Sequence, residues 1–373
     1  MRLRIHLLLF TLLAALFLTA CGGANTPSAE SNPAPAAEAD PVPGAEADPE
    51  ASGPEELDLS SGLVIYSGRS ETLIQPIIDR FETETGIEVA VRYGSTSEMA
   101  GVLLEEGANS PADLYYAQDP GGLGAVQAAG LLQPLPESVL GRVPERFRSD
   151  NGEWIGISGR ARVIVYNTAA ISDPATELPA DIYDFVDPKW SGRLGWAPTN
   201  ASFQAMVTAM RVLWGEDKTR QWLEGVQANG PLVFAGNTQV VDAVGAGEID
   251  AGFVNHYYLY RFLAEQGESF PARNYFLPGG GPGSLILVSG VGILKSADHP
   301  DNAQRFVEFL LSAEGQQYFA DETFEYPVID GVTLPDMLPP LAELDAQAVH
   351  VPLSDLADVA GTQDLLIDLG IIE

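Results

Sequence analysis

The chain has 373 residues, 52 of them acidic against 19 basic, and a formal net charge of −33. That length carries a prior of about two structural domains and suffices to bury a full core without a disulfide or metal staple. The charge excludes nucleic acid as a partner, because phosphate backbones demand basic patches, and otherwise reads as a solvated acidic surface. Cys21 is the only cysteine, so a disulfide framework and a thiolate metal cluster within one chain are excluded too.

In chain order, Arg2 and Arg4 precede an apolar run over 7–17, which Leu18, Thr19 and Ala20 close just before Cys21. This is the layout of a secretory signal peptide over 1–20. The run is shorter than the roughly 20 apolar residues of a membrane span. Leu-Thr-Ala-Cys is similar to a lipobox, which makes Cys21 the expected lipidation site of an exported lipoprotein facing the periplasm or cell exterior. Residues 21–60 are rich in Ala, Pro, Glu, Asp and Ser. Such a segment cannot bury enough apolar surface to offset its ordering entropy, so it is expected to be a disordered tether, held extended by proline and like charge.

The body starts with a strand over 63–66, a helix over 72–85 that Gly86 stops, a strand over 87–93, a helix over 97–106 and a strand over 113–116. Strands alternating with helices predict a parallel sheet with crossover helices. The alternation resumes with a strand over 161–166 and a short strand over 193–196. Helices over 203–214 and 218–229, a strand over 232–234, a helix over 238–246 and a strand over 251–254 follow. A helix over 257–266, a strand over 285–294 and a helix over 300–311 complete the pattern. The chain thus holds two α/β units. Ligands in such sheets lie beyond the carboxyl ends of strands, which singles out the loops 67–71, 117–121, 198–202 and 255–258, drawn from both halves.

Asn255-His256-Tyr257-Tyr258 follows a strand and opens a helix. Tyrosines there either pack, being amphipathic, or bind a hard cation such as Fe(III) through phenolate oxygen. Side chains that leave successive helical positions diverge by about 100°, which makes His256 a spectator. Asn200, Ala201 and Ser202 stand at a helix start, where an N-cap and an anion site use the same backbone amides. Arg160 and Arg162 fit either a bound oxyanion or a buried carboxylate. Catalytic signals are thin. The chain has no Gly-x-Ser-x-Gly and no His-Glu-x-x-His, so it reads as a protein that is not an enzyme.

Several segments, in order, resemble the periplasmic ferric ion-binding proteins, the solute-binding components of ABC importers. They are Val64-Ile65-Tyr66-Ser67-Gly68-Arg69-Ser70-Glu71, Phe81-Glu82 to Thr85-Gly86-Ile87, and Ser110-Pro111-Ala112-Asp113-Leu114-Tyr115-Tyr116. Ser158-Gly159-Arg160-Ala161-Arg162, Pro188-Lys189-Trp190-Ser191-Gly192, Asn255-His256-Tyr257-Tyr258-Leu259-Tyr260 and Glu325-Tyr326-Pro327 continue them. The resemblance implies an α/β, periplasmic-binding-protein-like fold of type II, with two α/β domains joined by hinge strands around a ligand cleft. The implied N-terminal lobe is 61–160 with 290–325 and the C-terminal lobe 161–289 with 326–373, crossed near 157–163 and 286–292.

By the same resemblance Tyr257 and Tyr258 are the Fe(III) ligands, and phosphate or carbonate is the synergistic anion, placed on Asn200, Ala201, Ser202, Asn237 and Asn255. The first loop lacks the family's histidine, Gln118 replaces a glutamate ligand, and Phe203 replaces a third tyrosine. Glu71 and Gln118 are therefore possible metal or cleft residues, and Arg69, Arg160, Arg162 and Asp119 possible anion contacts or charge balance. The implied partners are an ABC permease and, through the lipid on Cys21, a membrane; a monomer is expected. A carrier of an oxyanion or phosphorylated small molecule without iron is the main rival. A secreted metal-dependent hydrolase is a remote one, short of histidine motifs.

Overall fold

Each half of the chain builds its own series of strands and helices. A computed structural model describes residues 62–373; the signal peptide, Cys21 and the whole of the tether lie outside the described residues. β1 (Leu63–Ser67), α1 (Glu71–Thr85), β2 (Val89–Tyr93), α2 (Thr96–Glu106), β3 (Leu114–Ala117) and α3 (Pro120–Ala128) form the first series. Their termini follow from local chemistry. Gly86 ends α1 at φ 69°, a conformation glycine adopts without a Cβ clash. Ser95 and Glu98 form a capping box at the start of α2, satisfying two amides that the helix leaves open. Asp119 caps α3 by accepting from the Gly121 amide, and Pro120 sits at the first helical position, where no amide donor is needed.

β4 (Ile155–Asn167) then runs for 13 residues, all buried. β5 (Leu194–Trp196), α4 (Ala201–Trp214), α5 (Glu216–Ala228), β6 (Leu232–Val233), α6 (Asn237–Ala246), β7 (Ala251–Asn255), α7 (His256–Gln266) and β8 (Ala272–Tyr275) make the second series. β9 (Ile286–Ile293), α8 (Pro300–Leu310), α9 (Ala313–Asp321), β10 (Tyr326–Pro327) and α10 (Val359–Asp368) follow. Among the described residues no helix is long and apolar enough to cross a membrane.

The strands run in the order β2-β1-β3-β9-β4-β7-β5-β6, with β8 and β10 also paired to β4. The expected parallel pairing holds for β1 with β2 and β3 and for β5 with β6 and β7. It does not extend to the middle. β9 lies antiparallel between β3 and β4, and β4 is antiparallel to β7 and β8. β4 serves both halves: residues 155–161 pair with β9 and residues 162–166 with β7. Its register shifts between Gly156 and Ser158, a bulge that bends the strand on its way across.

The second half packs around an aromatic group in which Phe203 meets Trp196 edge-on at 5.7 Å and Trp222 meets Phe253 at 5.6 Å. Each such side chain, when fully buried, contributes about 2–3 kcal/mol. The chain after β10 returns across the molecule. Leu353–Leu356 and the start of α10 lie on α3, at Gly121 and Gly124. A Cβ at Gly124 would stand 2.6 Å from Ala357 Cβ, so only glycine admits this approach. α10 is fastened to α4 by the Thr208–Thr362 hydroxyl pair at 2.7 Å and by Arg211, which donates to Asp358 at 2.9 Å.

Candidate functional site

Of the side chains singled out by sequence, Arg69, Asp119, Arg160, Arg162, Asn255, Tyr257 and Tyr258 converge where β4, β7 and the first turn of α7 meet the loops after β1 and β3. Asn255 is the N-cap of α7, yet its side chain makes no cap bond. Its Oδ1 accepts from Arg162 Nη1 at 3.0 Å and its Nδ2 donates to Ser202 Oγ at 3.0 Å. The residue that should close the helix instead ties α7 to β4 and to the start of α4.

His256 is fully buried, and both ring nitrogens are committed. Nδ1 accepts from the Ala161 amide at 3.1 Å, which leaves the proton on Nε2, and Nε2 donates to the Phe324 carbonyl at 2.9 Å. Burial lowers its pKa to about 4, Glu325 opposing. His256 is therefore neutral and has no free lone pair for a metal. Phe324, its acceptor, has φ 57°, the only positive φ outside glycine among the described residues.

The rings of Tyr257 and Tyr258 stack at 4.2 Å with 27° between their planes. Tyr257 is fully buried and its hydroxyl has no hydrogen-bond partner. Burial pushes that phenol well above its ordinary range, Tyr258 adds to the effect, and Arg69 and Arg160 oppose it. Arg69, Arg160 and Arg162 are all buried as well. Arg69 is spoken for: Nη1 donates to Glu325 Oε1 at 3.0 Å and Nη2 to Oε2 at 2.6 Å, a bidentate pair. Burial disfavours charge on both partners, but each holds the other ionised, so Arg69 rises and Glu325 falls.

Arg160 comes no nearer to Glu325 than 4.0 Å, and none of its three nitrogens has a hydrogen-bond partner. In Arg162, Nε and Nη2 are equally unpartnered, and burial lowers its pKa to about 9, which still leaves it charged at neutral pH. Asp119 is buried with Oδ2 unpartnered; burial raises its pKa while Arg160 and the Gly121 and Gly122 amides act against that. Buried donors without acceptors cost about 1–3 kcal/mol each. Guanidinium donors without acceptors beside a phenol without a partner are groups that suit an anionic oxygen ligand. Among the described residues, no group of three or more His, Cys, Asp or Glu could hold a metal ion.

The model of the bacterial extracellular solute-binding protein family matches residues 66–317. The chain belongs to that family. This solute-binding protein is 36% identical over 301 residues to an Fe(3+)-binding periplasmic protein of Serratia marcescens, covering 80% of this chain and 88% of the relative. Among solved structures, iron-bound HitA from Pseudomonas aeruginosa superposes with a TM-score of 0.78 at 36% identity, covering 83% of this chain and 99% of HitA. Trichodesmium FutA in complex with iron and citrate matches with a TM-score of 0.69 at 31% identity, over 83% of this chain and 99% of FutA. The α/β, type II periplasmic-binding-protein fold of these structures is the fold of this chain.

Within this solute-binding protein the side chains expected to hold an anion divide into two groups. Asn200, Ser202, Asn237 and Asn255 largely satisfy one another. Asn200 Oδ1 accepts from the Ser202 amide at 3.1 Å and from Asn237 Nδ2 at 3.0 Å, and Asn255 Nδ2 takes Ser202 Oγ. Ala201 stands with them as the first residue of α4. The free guanidinium donors are the three nitrogens of Arg160, Nε and Nη2 of Arg162, and Nε of Arg69. Of the possible metal residues, Glu71 is exposed in the first turn of α1, where its charge bears on Tyr93, and Gln118 is half-buried with its backbone amide donating to Thr96 Oγ1 at 3.1 Å. Phe203, in the place of a third tyrosine, belongs to the aromatic core. Sequence reasoning assigned no role to Glu325, although Glu325-Tyr326-Pro327 was among its family matches; its charge partner Arg69 is 256 residues away.

Proposed function

We propose that this chain is the exported, iron-capturing component of an ABC importer: it holds Fe(III) on the phenolates of Tyr257 and Tyr258 with an anion on Arg160 and Arg162, and hands the iron to a permease. The observation that carries the reading is the stacked tyrosine pair, with the buried Tyr257 hydroxyl unpartnered, beside the Arg160 guanidinium, which has no acceptor, and that of Arg162, which has one on Nη1 only. Fe(III) is a hard acid that prefers anionic oxygen, and a buried phenol sheds its proton only when a cation of that strength replaces it. Relatives bearing iron-binding names, and a structural neighbour solved with iron and citrate, point the same way. Carbonate, phosphate or a carboxylate would each satisfy the free guanidinium donors.

The two ends of β4 mark the lobes we propose to move, 155–161 in one and 162–167 in the other, closing over the ligand as an equilibrium between open and closed forms. Asn200, Ala201, Ser202, Asn237 and Asn255 brace the tyrosine helix, with Asp119 balancing charge near Arg160. Glu71 and Gln118 stay outside the iron sphere in this reading. Export by the leader, lipidation at Cys21 and a monomeric, non-catalytic carrier complete the proposal.

The test is a visible absorbance titration of residues 61–373 with Fe(III), with and without carbonate, phosphate or citrate. A saturable tyrosinate charge-transfer band, lost in Y257F/Y258F, is expected. No band under any anion would overturn the iron reading. The unpartnered donors of Arg160 and Arg162 also favour a second reading, a carrier of an oxyanion or phosphorylated small molecule; tight calorimetric binding of such an anion with no iron band would put it first.

A further inference from the structure

Glu325 contributes the one carboxylate locked onto a guanidinium at this site, and it is fully buried, as are Arg69, Arg160 and Arg162. Its oxygens take both Nη groups of Arg69, and Oε2 also accepts from Thr323 Oγ1 at 3.0 Å. Every one of these atoms is removed from water, so their charges act through a weakly screening medium. The Arg69–Glu325 pair is neutral as a unit. With Asp119 ionised beside Arg160, whose charge opposes the rise that burial imposes on that carboxyl, what the ligand then meets is Arg160 and Arg162 against Asp119, one positive charge in excess. Fe(III) on two phenolates adds a second. The complete assembly is neutral when the accompanying anion is a dianion.

We propose that Glu325, by neutralising Arg69 inside the site, sets the charge of the anion that accompanies the cargo and so makes the pocket select dianions over monoanions of the same shape. The residue does not need to touch the anion. It stands 4.0 Å from Arg160 Nε, close enough to weaken or strengthen that guanidinium's hold on a third charge. Buried ion pairs are poor sources of stability but serve well to specify one arrangement over another. A charge carried on Glu325 would also explain why a buried bidentate pair stands in a pocket that needs donors: without it, three guanidiniums would face the ligand together. The proposal rests on the reading that places the anion at Arg160 and Arg162.

Sulfate and perchlorate are tetrahedral oxyanions of like shape with two charges and one. Their affinities are measured by calorimetry on iron-free protein, native and in the variants E325Q, R69Q and R69Q/E325Q. E325Q adds one positive charge, and the sulfate-to-perchlorate affinity ratio should rise about tenfold, the Coulomb difference over roughly 10 Å at an effective dielectric near 20. R69Q should lower the ratio by a similar factor. R69Q/E325Q removes both charges and should return it to within about twofold of native. A pair with a purely structural role would cost stability in all three variants and leave the ratio unmoved, which would overturn the proposal.

If E325Q folds poorly, its thermal midpoint is followed at millimolar sulfate and perchlorate, with R69Q/E325Q as the reference for general salt effects. Recovery by sulfate well beyond perchlorate supports the proposal; equal recovery, or none, overturns it. Because these measurements use no iron, they stand apart from the tyrosinate band that tests the functional reading itself.

Discussion

Replacing His256 by glutamine makes the strongest test of how this site is held together. The glutamine oxygen can accept from the Ala161 amide and its amide group can donate to Phe324, so the two bonds of the imidazole are kept while its titration is removed. In the native fold the ring is lowered from an ordinary value of 6.5 to about 4, chiefly by burial. A lowered base means that the unfolded chain binds more protons between those two values, so stability rises with pH across that window and falls as the solution is acidified through it. At pH 4 the loss amounts to about 3 kcal/mol relative to neutral pH. Glu325 and the other carboxylates with lowered pKa lose their contribution as the pH falls through the ordinary carboxylate range and below it, and do so in both proteins, so the difference between the two curves isolates the ring. The assay is urea denaturation of iron-free native and H256Q protein at half-unit steps from pH 7 to 4. The native curve should drop by about 3 kcal/mol more than that of the variant. Parallel curves would refute the reasoning, because they would mean that the ring takes up its proton in the fold as readily as in the unfolded chain.

Three further outcomes are expected. Each phenol that becomes an iron ligand sheds a proton, so an unbuffered titration should release about two protons per iron, and apparent affinity should rise steeply with pH below neutrality; proton release near zero would remove the tyrosines from the coordination sphere. Gly124→Ala should destabilise the protein by about 1–3 kcal/mol by driving a Cβ to within 2.6 Å of Ala357 Cβ, and Ala357→Gly in the same chain should recover most of the loss in a thermal melt. Ser95→Ala removes half of the capping box on α2 and should cost about 1 kcal/mol in chemical denaturation, with no effect on the anion ratio.

Much of the scaffold was legible because local chemistry decides it. Strand β1, helix α1 and its Gly86 stop, and the alternation through α7 follow from apolar spacing and caps. The tyrosine pair was legible for a similar reason: consecutive residues at a strand-to-helix junction must lie near one another. The antiparallel insertion of β9 was not, because a period of two identifies a strand and says nothing of its partner. α3 escaped notice because Gly121, Gly122 and Gly124 lower helix propensity; two of those glycines are there for the returning chain, a contact made by residues more than two hundred positions later. Glu325 was invisible as a charge for the same kind of reason. Nothing near it in sequence asks for a carboxylate, and its demand comes from Arg69 across the fold.

The place of β9 has a bearing on how the molecule comes into being. β3 finds its second neighbour only in residues 286–293, after the whole second series has been made. A growing chain therefore holds β1, β2 and β3 with an unfinished edge until synthesis reaches Ile286, a delay of roughly 10–30 s at 5–20 residues per second. Pairings of such long range also close slowly. The first half of the body thus stays incomplete through that interval, and a chain handed to an export machine then still presents an unfinished sheet edge.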